Sequence, residues 1–401
     1  MIAEKSLTSL GTIETPAPTS ATTQNQTSPK PRALISRQID IWLIGGASLL
    51  VWALFQIAQA YRDNYAVHQH FDKAGSLAVS LSLLINYPHF MASYRIAYTR
   101  GFRFILKHWF QLLFVPFALF GLFTMSYFTY SDPSPLPPIY NPWQLRAGEG
   151  LASLLIALMF LTVGWHYIKQ TFGCMMVYGA FDGYRISTWQ RRALLTLLYT
   201  LMIANFIGGN TGATGKSYFY GVPIMFYGFP PEFHLVTLAV FWILLSFFAY
   251  GVVWRNWTKQ KKLPSLGFLV PLVALVIWWV PTFAHKEFLL FVPLFHSLQY
   301  LPFAYRYELG RNQWLKKPSW VGSFQVLSVI LAGYLAFEFI PYAAQGTLVN
   351  EDMKKALFFV VAASVFINVH HYFIDNVIWK FNQPEIQRYL LGKEDETRTV
   401  A

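Results

Sequence analysis

The chain has 401 residues, of which 55% are hydrophobic, 18% aromatic and only 12% charged, and its formal net charge is +12. A charged fraction about half that of soluble domains excludes an ordinary water-soluble enzyme, and the absence of short alternating segments excludes a transmembrane barrel. In a chain built of apolar runs, the positive balance reads as loop charge that orients a membrane protein, not as a nucleic-acid surface.

Residues 1–36, rich in Ser, Thr, Pro and Gln, read as a disordered polar tail with neither a signal peptide nor a lipidation motif. A transmembrane domain over 37–381 follows, and residues 382–401 read as a cytoplasmic C-terminal tail. The expected fold is all-α: a polytopic transmembrane helical bundle of about ten spans, near 38–60, 76–97, 104–129, 149–178, 190–209, 233–254, 266–284, 288–305, 322–343 and 356–380. The fourth is long enough to tilt or to run past the interface.

Alternate connections are strongly basic. They hold Arg95, Arg100, Arg103 and Lys107; Lys169, Arg185, Arg191 and Arg192; Arg255, Lys259, Lys261 and Lys262; and Arg306, Arg311, Lys316 and Lys317. The intervening ones, such as SDPSPLPPIYNPW, carry Pro, Gly and aromatics instead. The positive-inside rule then places both termini in the cytoplasm of a bacterial-type inner membrane. The stretch GGNTGATGKS is not a phosphate-binding loop, because Asn210 stands where its first glycine belongs and no buried strand precedes it. The single cysteine, Cys174, excludes an intramolecular disulfide and a cysteine-rich metal site.

Ten histidines are present. His68, His70, His108, His234 and His285 fall in loops or at boundaries and receive no function. The other five lie inside spans, in NYPHFMASY (His89), GWHYIKQTFG (His166), LFHSLQYLPF (His296) and NVHHYFID (His370, His371). These spans run in the same direction, so the histidines share one slab in the cytoplasmic half of the membrane. Each has a polar neighbour one helical turn away: Asn86, Gln170, Gln299, and Asn368 with Asp375. Such groups can fix the tautomer of a metal-bound imidazole. A lone span histidine is ordinarily an interhelical hydrogen-bonder; a set at one depth, each with a partner, points to a shared functional site.

An imidazole-rich site suits Fe(II), Zn or Cu, and the scarcity of span glutamates disfavours a carboxylate-bridged di-iron centre. The expected ligands are His89, His166 and His296, with a fourth from the final pair. His371 shares a face with Asn368 and Asp375; alternatively His370 is the ligand, with His371 and Asp375 as a proton relay. Both stay open at this point.

FVPLFHSLQYL (291–301) resembles the WHSxRH-type segment of the Brp/Blh family of bacterial membrane β-carotene 15,15′-dioxygenases, and INYPHF (85–90) is similar to that family's earlier HF motif. The resemblance implies a polytopic protein holding iron through histidines of several helices and cleaving a polyene with O₂. It carries over to His296 and His89 alone. Tyr300 stands where the family has a second histidine, and is taken with Asp375 as a candidate catalytic residue.

The expected function is therefore that of an iron-dependent oxidoreductase, a dioxygenase or monooxygenase using O₂ on a carotenoid, isoprenoid or lipid that enters from the bilayer. A transporter or channel using the histidines as proton relay or ion site is the competing reading, and a membrane acyl or glycosyl transferase with one catalytic histidine is the third. Substrate identity and oligomeric state are not legible in the sequence.

Overall fold

Serine caps and proline starts set several helix ends. Ser36 and Ser265 accept the backbone N–H of Ile39 and Phe268, and Ser187 forms a capping box with Gln190. In the computed structural model the described residues are 33–61, 84–132, 145–184, 186–212, 217–224, 226–280, 286–349 and 355–392, with isolated positions between 69 and 81 and at 353. Most of the N-terminal tail, the end of the C-terminal tail, much of the first part of the span expected at 76–97, the end of that at 266–284, and His68, His70 and His285 lie outside them.

The described helices are α1 (Arg37–Ala60), α2 (Asn86–Tyr98), α3 (Phe102–Lys107), α4 (Phe110–Thr129), α5 (Ala147–Phe181), α6 (Thr188–Gly209), α7 (Pro231–Gln260), α8 (Leu266–Trp279), α9 (Val292–Trp314), α10 (Trp320–Leu348), α11 (Phe358–Ile378) and α12 (Pro384–Tyr389). A short antiparallel hairpin, β1 (Ser217–Phe219) with β2 (Val222–Ile224), pairs Ser217 with Ile224. Among the described residues the fold is all-α but for this ribbon and an isolated bridge between Thr211 and Phe229.

Among the described residues seven helices, α1, α4, α5, α6, α7, α10 and α11, are long and apolar enough to cross a membrane. Large apolar side chains on them face outward, among them Phe117, Phe120, Phe128, Leu235, Ile243 and Leu327. An apolar exterior over a helical bundle is what a lipid environment requires. The 35 residues of α5 extend about 52 Å at 1.5 Å per residue, well beyond a hydrocarbon core of about 30 Å. The span expected at 104–129 is broken near His108 into α3 and α4. Helices α2 and α9 are more polar than their neighbours, and both are heavily buried. They contact each other, α2 also packs on α10 and α11, and α11 packs on α5.

Two local features support this arrangement. Gly45 adopts a φ of 156°, and a Cβ there would lie 2.8 Å from that of Ala274 on α8, so only glycine allows α1 to approach so closely. Beside this distortion, the Gln299 side-chain amide donates to the Ile44 carbonyl at 2.8 Å. At the other end, part of the expected C-terminal tail is folded. Ile386 and Leu390, one helical turn apart, are fully buried as α12 packs on α9. Arg100 holds this segment through Gln383 (2.8 Å) and Glu385 (3.2 Å).

Candidate metal centre

Four imidazoles from α2, α5, α9 and α11 meet inside the bundle. Ring centroids are 4.6 Å apart for His89–His371, 4.8 Å for His371–His166, 4.8 Å for His166–His296 and 4.9 Å for His296–His89. His89 and His166 face each other across the ring at 6.3 Å. All four are almost wholly buried, and Asp375 is 8% exposed.

One donor atom from each of His89, His166, His371 and Asp375 falls within a set whose members are all within 4.8 Å of one another. Ligands about 2.1 Å from a common ion lie at most about 4.2 Å apart, so a contraction of roughly half an ångström encloses a metal. The donor atoms also bear this out. His89 Nε2 and both nitrogens of His371 have no hydrogen-bond partner, nor has His296 Nδ1. An unsatisfied buried polar atom costs about 1–3 kcal/mol, and a metal ion removes that penalty for the nitrogens it binds. The residues present fit a mononuclear centre.

The orienting groups come mainly from neighbouring helices. Ser297 Oγ on α9 donates to the Pro293 carbonyl (2.9 Å) or to Asn86 Oδ1 (2.7 Å), so toward His89 Nδ1, 3.1 Å away, it acts as acceptor. His89 therefore carries its proton on Nδ1 and offers a bare Nε2 to the ring centre. Asp375 is held in a similar way. Its Oδ1 accepts from Ser93 Oγ (2.7 Å) on α2 and from the Tyr300 hydroxyl (3.3 Å) on α9. Ser93 and Tyr300 also touch, and Trp379 Nε1 donates to the Tyr300 hydroxyl at 3.2 Å. Its Oδ2 is left facing His371 Nε2 (3.5 Å) and His166 Nε2 (3.8 Å).

The remaining predicted residues are placed as follows. His370 points away from the ring: its Nε2 donates to the Gln111 carbonyl (3.1 Å) and its Nδ1 accepts from the Tyr94 hydroxyl (2.9 Å). His371 is the member of the pair that faces the centre, as the 100° step between successive helical residues requires of one of them. His296 adjoins the four-donor set through an Nε2–Nε2 contact of 3.1 Å with His166, and Tyr167 stacks on its ring.

The expected polar neighbours act differently from the same-helix scheme. Gln170 donates to the His296 carbonyl (2.9 Å) and to Gln299 Oε1 (3.0 Å), bridging α5 to α9. Asn368 is occupied by the Ser364 carbonyl and the Tyr372 hydroxyl. Asn86 reaches its histidine only through Ser297. A polar residue on the histidine's own face points into the same space, whereas the outer ring nitrogen faces the next helix. Ser93 and Ser297, which the sequence reading passes over, lie within the motifs NYPHFMASY and LFHSLQYLPF. Changing Ser297 to Ala is expected to weaken metal affinity about 10–100-fold with the helical content unchanged, measured by chelator competition.

Cavities reach the ring from two sides. One of ≈ 1130 Å³ is lined by Asn86, Phe90, His296, Asn368 and Tyr372 near the ring and extends to Phe219, Tyr227 and His234. Another of ≈ 250 Å³ is lined by His166, Tyr300, Tyr372 and Asp375 and extends to Lys169 and Lys380. Comparison with protein-family models, curated proteins and solved structures gives no match.

Proposed function

We propose that the protein is a membrane-embedded oxygenase in which His89, His166, His371 and Asp375 hold one ferrous ion, with His296 beside them, and that it uses O₂ on a lipophilic substrate such as a carotenoid, isoprenoid or other lipid. The observation that carries this reading is the convergence of one donor atom each from His89, His166, His371 and Asp375, within 4.8 Å, in a buried site where His89 Nε2 and both nitrogens of His371 lack hydrogen-bond partners. Imidazole with a single carboxylate suits iron, with zinc and copper as the alternatives. A four-donor protein set would leave a bound iron ion room for further ligands, and the cavities would give access to it.

Iron supplies the one-electron chemistry that lets O₂ react with a closed-shell hydrocarbon. The chain's own residues do the rest. Ser297 fixes the His89 tautomer, while Ser93 and Tyr300 hold Asp375 so that one oxygen faces the ring. Phe90, Val163, Tyr167 and Phe206 give the larger cavity walls suited to an apolar chain. Dioxygenation of a carbon–carbon double bond places one oxygen atom on each carbon and needs no external reductant.

We read the chain as about ten spans with both termini cytoplasmic; the basic connections support that orientation. The test is oxygen uptake by the iron-loaded, detergent-purified chain with a panel of polyenes, isoprenoids and acyl lipids. Uptake stoichiometric with product, and absent from His166→Ala, is expected; uptake unchanged by that substitution contradicts the proposal.

The cavities on two sides of the ring also suit a transporter in which the histidines pass protons or an ion. Flux in proteoliposomes that persists without metal and is abolished in His371→Ala identifies that case.

A further inference from the structure

The smaller cavity adds to the metal-site residues at its floor a basic rim that the proposed oxygenation does not use. Its walls include Trp165, Phe172, Phe303, Trp379 and Phe381, and its floor is formed by His166, Asp375 and Tyr300. At its rim stand Lys169 and Lys380, both exposed. Neither forms an ion pair with a described residue; Lys169 makes only a cation–π contact, 5.7 Å from the Tyr199 ring centroid. Lys169 lies three residues beyond His166, about 4.5 Å of helical rise, so the distance from rim to floor is short. An apolar cavity of about 150 Å³ accepts benzene. The ≈ 250 Å³ here therefore suits one ring or a short chain carrying a polar head, and is too small for a long lipid. The larger cavity differs in kind: among its described lining residues there is no Lys, Arg, Asp or Glu.

We infer that this cavity is a second binding site, open on the side that bears Lys169 and Lys380, for a small carboxylate with an apolar body. The carboxylate sits at Lys169 and Lys380, and the body lies between Trp165, Trp379 and Phe381 with its far end against His166 and Asp375. The lysines match the charge, the aromatic walls match the body, and the volume sets the size. Binding does not depend on the ring's holding a metal; only its consequence for the reaction rests on the oxygenase reading.

The probe is 3-phenylpropionate, titrated calorimetrically into the full chain in a neutral detergent at low salt, with 3-phenylpropanamide as its uncharged counterpart. The acid is expected to bind saturably and about tenfold more tightly than the amide, and the Lys169→Gln/Lys380→Gln double variant to lose that factor. Lys169→Arg/Lys380→Arg retains it. Asn376→Trp, at an exposed position on the cavity wall, abolishes binding of both. The same pattern is expected after chelator treatment, which separates this site from the metal reading. Equal binding of acid and amide, wild-type binding in the double Gln variant, binding that survives Asn376→Trp, or no saturable binding overturns the inference. All these substitutions are at exposed positions, and should Asn376→Trp fail to fold, the lysine variants and the acid–amide comparison decide.

Discussion

On the metal-centre proposal, replacing His371 with Ala is expected to strip the protein of metal, whereas replacing the adjacent His370 leaves the metal content near that of the parent chain. The two side chains share a helix and a residue type but not a role. Both nitrogens of His371 lack hydrogen-bond partners, and its ring packs against those of His89 and His166. Both nitrogens of His370 are engaged, by Gln111 and Tyr94. Loss of His371 removes one of four donors and leaves a cavity at the ring. Loss of His370 frees a part-buried carbonyl and a part-buried hydroxyl, a destabilisation of about 1 kcal/mol that lowers the melting temperature without emptying the centre. Metal-to-protein ratio and thermal melting, measured on both variants, separate the two effects. Metal loss of equal extent in both would refute the assignment.

The second large effect is expected at Asp375. In Asp375→Asn the side chain keeps its size but loses its charge, and the carboxylamide is a much poorer ligand for a hard divalent ion. Metal affinity should fall by well over about 100-fold, more than for loss of an orienting group. Tyr300→Phe and Ser93→Ala each remove one hydrogen bond to Oδ1 and leave the carboxylate in place, so each should weaken affinity about 10–100-fold. The order is the informative result: the Asn variant weakest, the two hydroxyl deletions intermediate, and the His370 variant near wild type. Competition with a chelator of known affinity measures it. If the Asn variant binds as tightly as Tyr300→Phe, Asp375 orients the ring and does not ligate.

Much of the bundle is legible in the sequence because lipid demands apolar helices, and apolar runs of that length have few alternatives. Helices α1, α5, α6, α7, α10 and α11 fall close to the expected spans. The convergence of the histidines is also legible, since His89, His166, His296 and His371 lie at one depth on helices expected to run in the same direction. Their orienting partners are less so. Spacing within one helix pairs His89 with Asn86 and His371 with Asp375, but it is silent on which residue of the next helix meets a ring nitrogen. Ser297 and Ser93 fill that place, and each is an ordinary serine by sequence. The part of Asp375 changes for a related reason. As an i+4 neighbour it reads as an orienting partner of His371 or, with His371, as a proton relay, and only the contacts of Ser93 and Tyr300 with Oδ1 show that Oδ2 is free to face the ring. The choice between His370 and His371 likewise depends on Tyr94 and Gln111, which no periodicity in α11 encodes. The small C-terminal helix is legible only in retrospect, from Ile386 and Leu390 at i,i+4 spacing.

The most direct measurement is the metal content of the full chain purified in detergent, with X-ray absorption at the metal edge, alongside His166→Ala and His371→Ala. About one iron per chain is expected, in a shell of nitrogen and oxygen donors near about 2.1 Å, absent from both variants. A chain free of transition metal yet fully active, or one whose metal survives both substitutions, contradicts the assignment of the histidine ring as a metal centre.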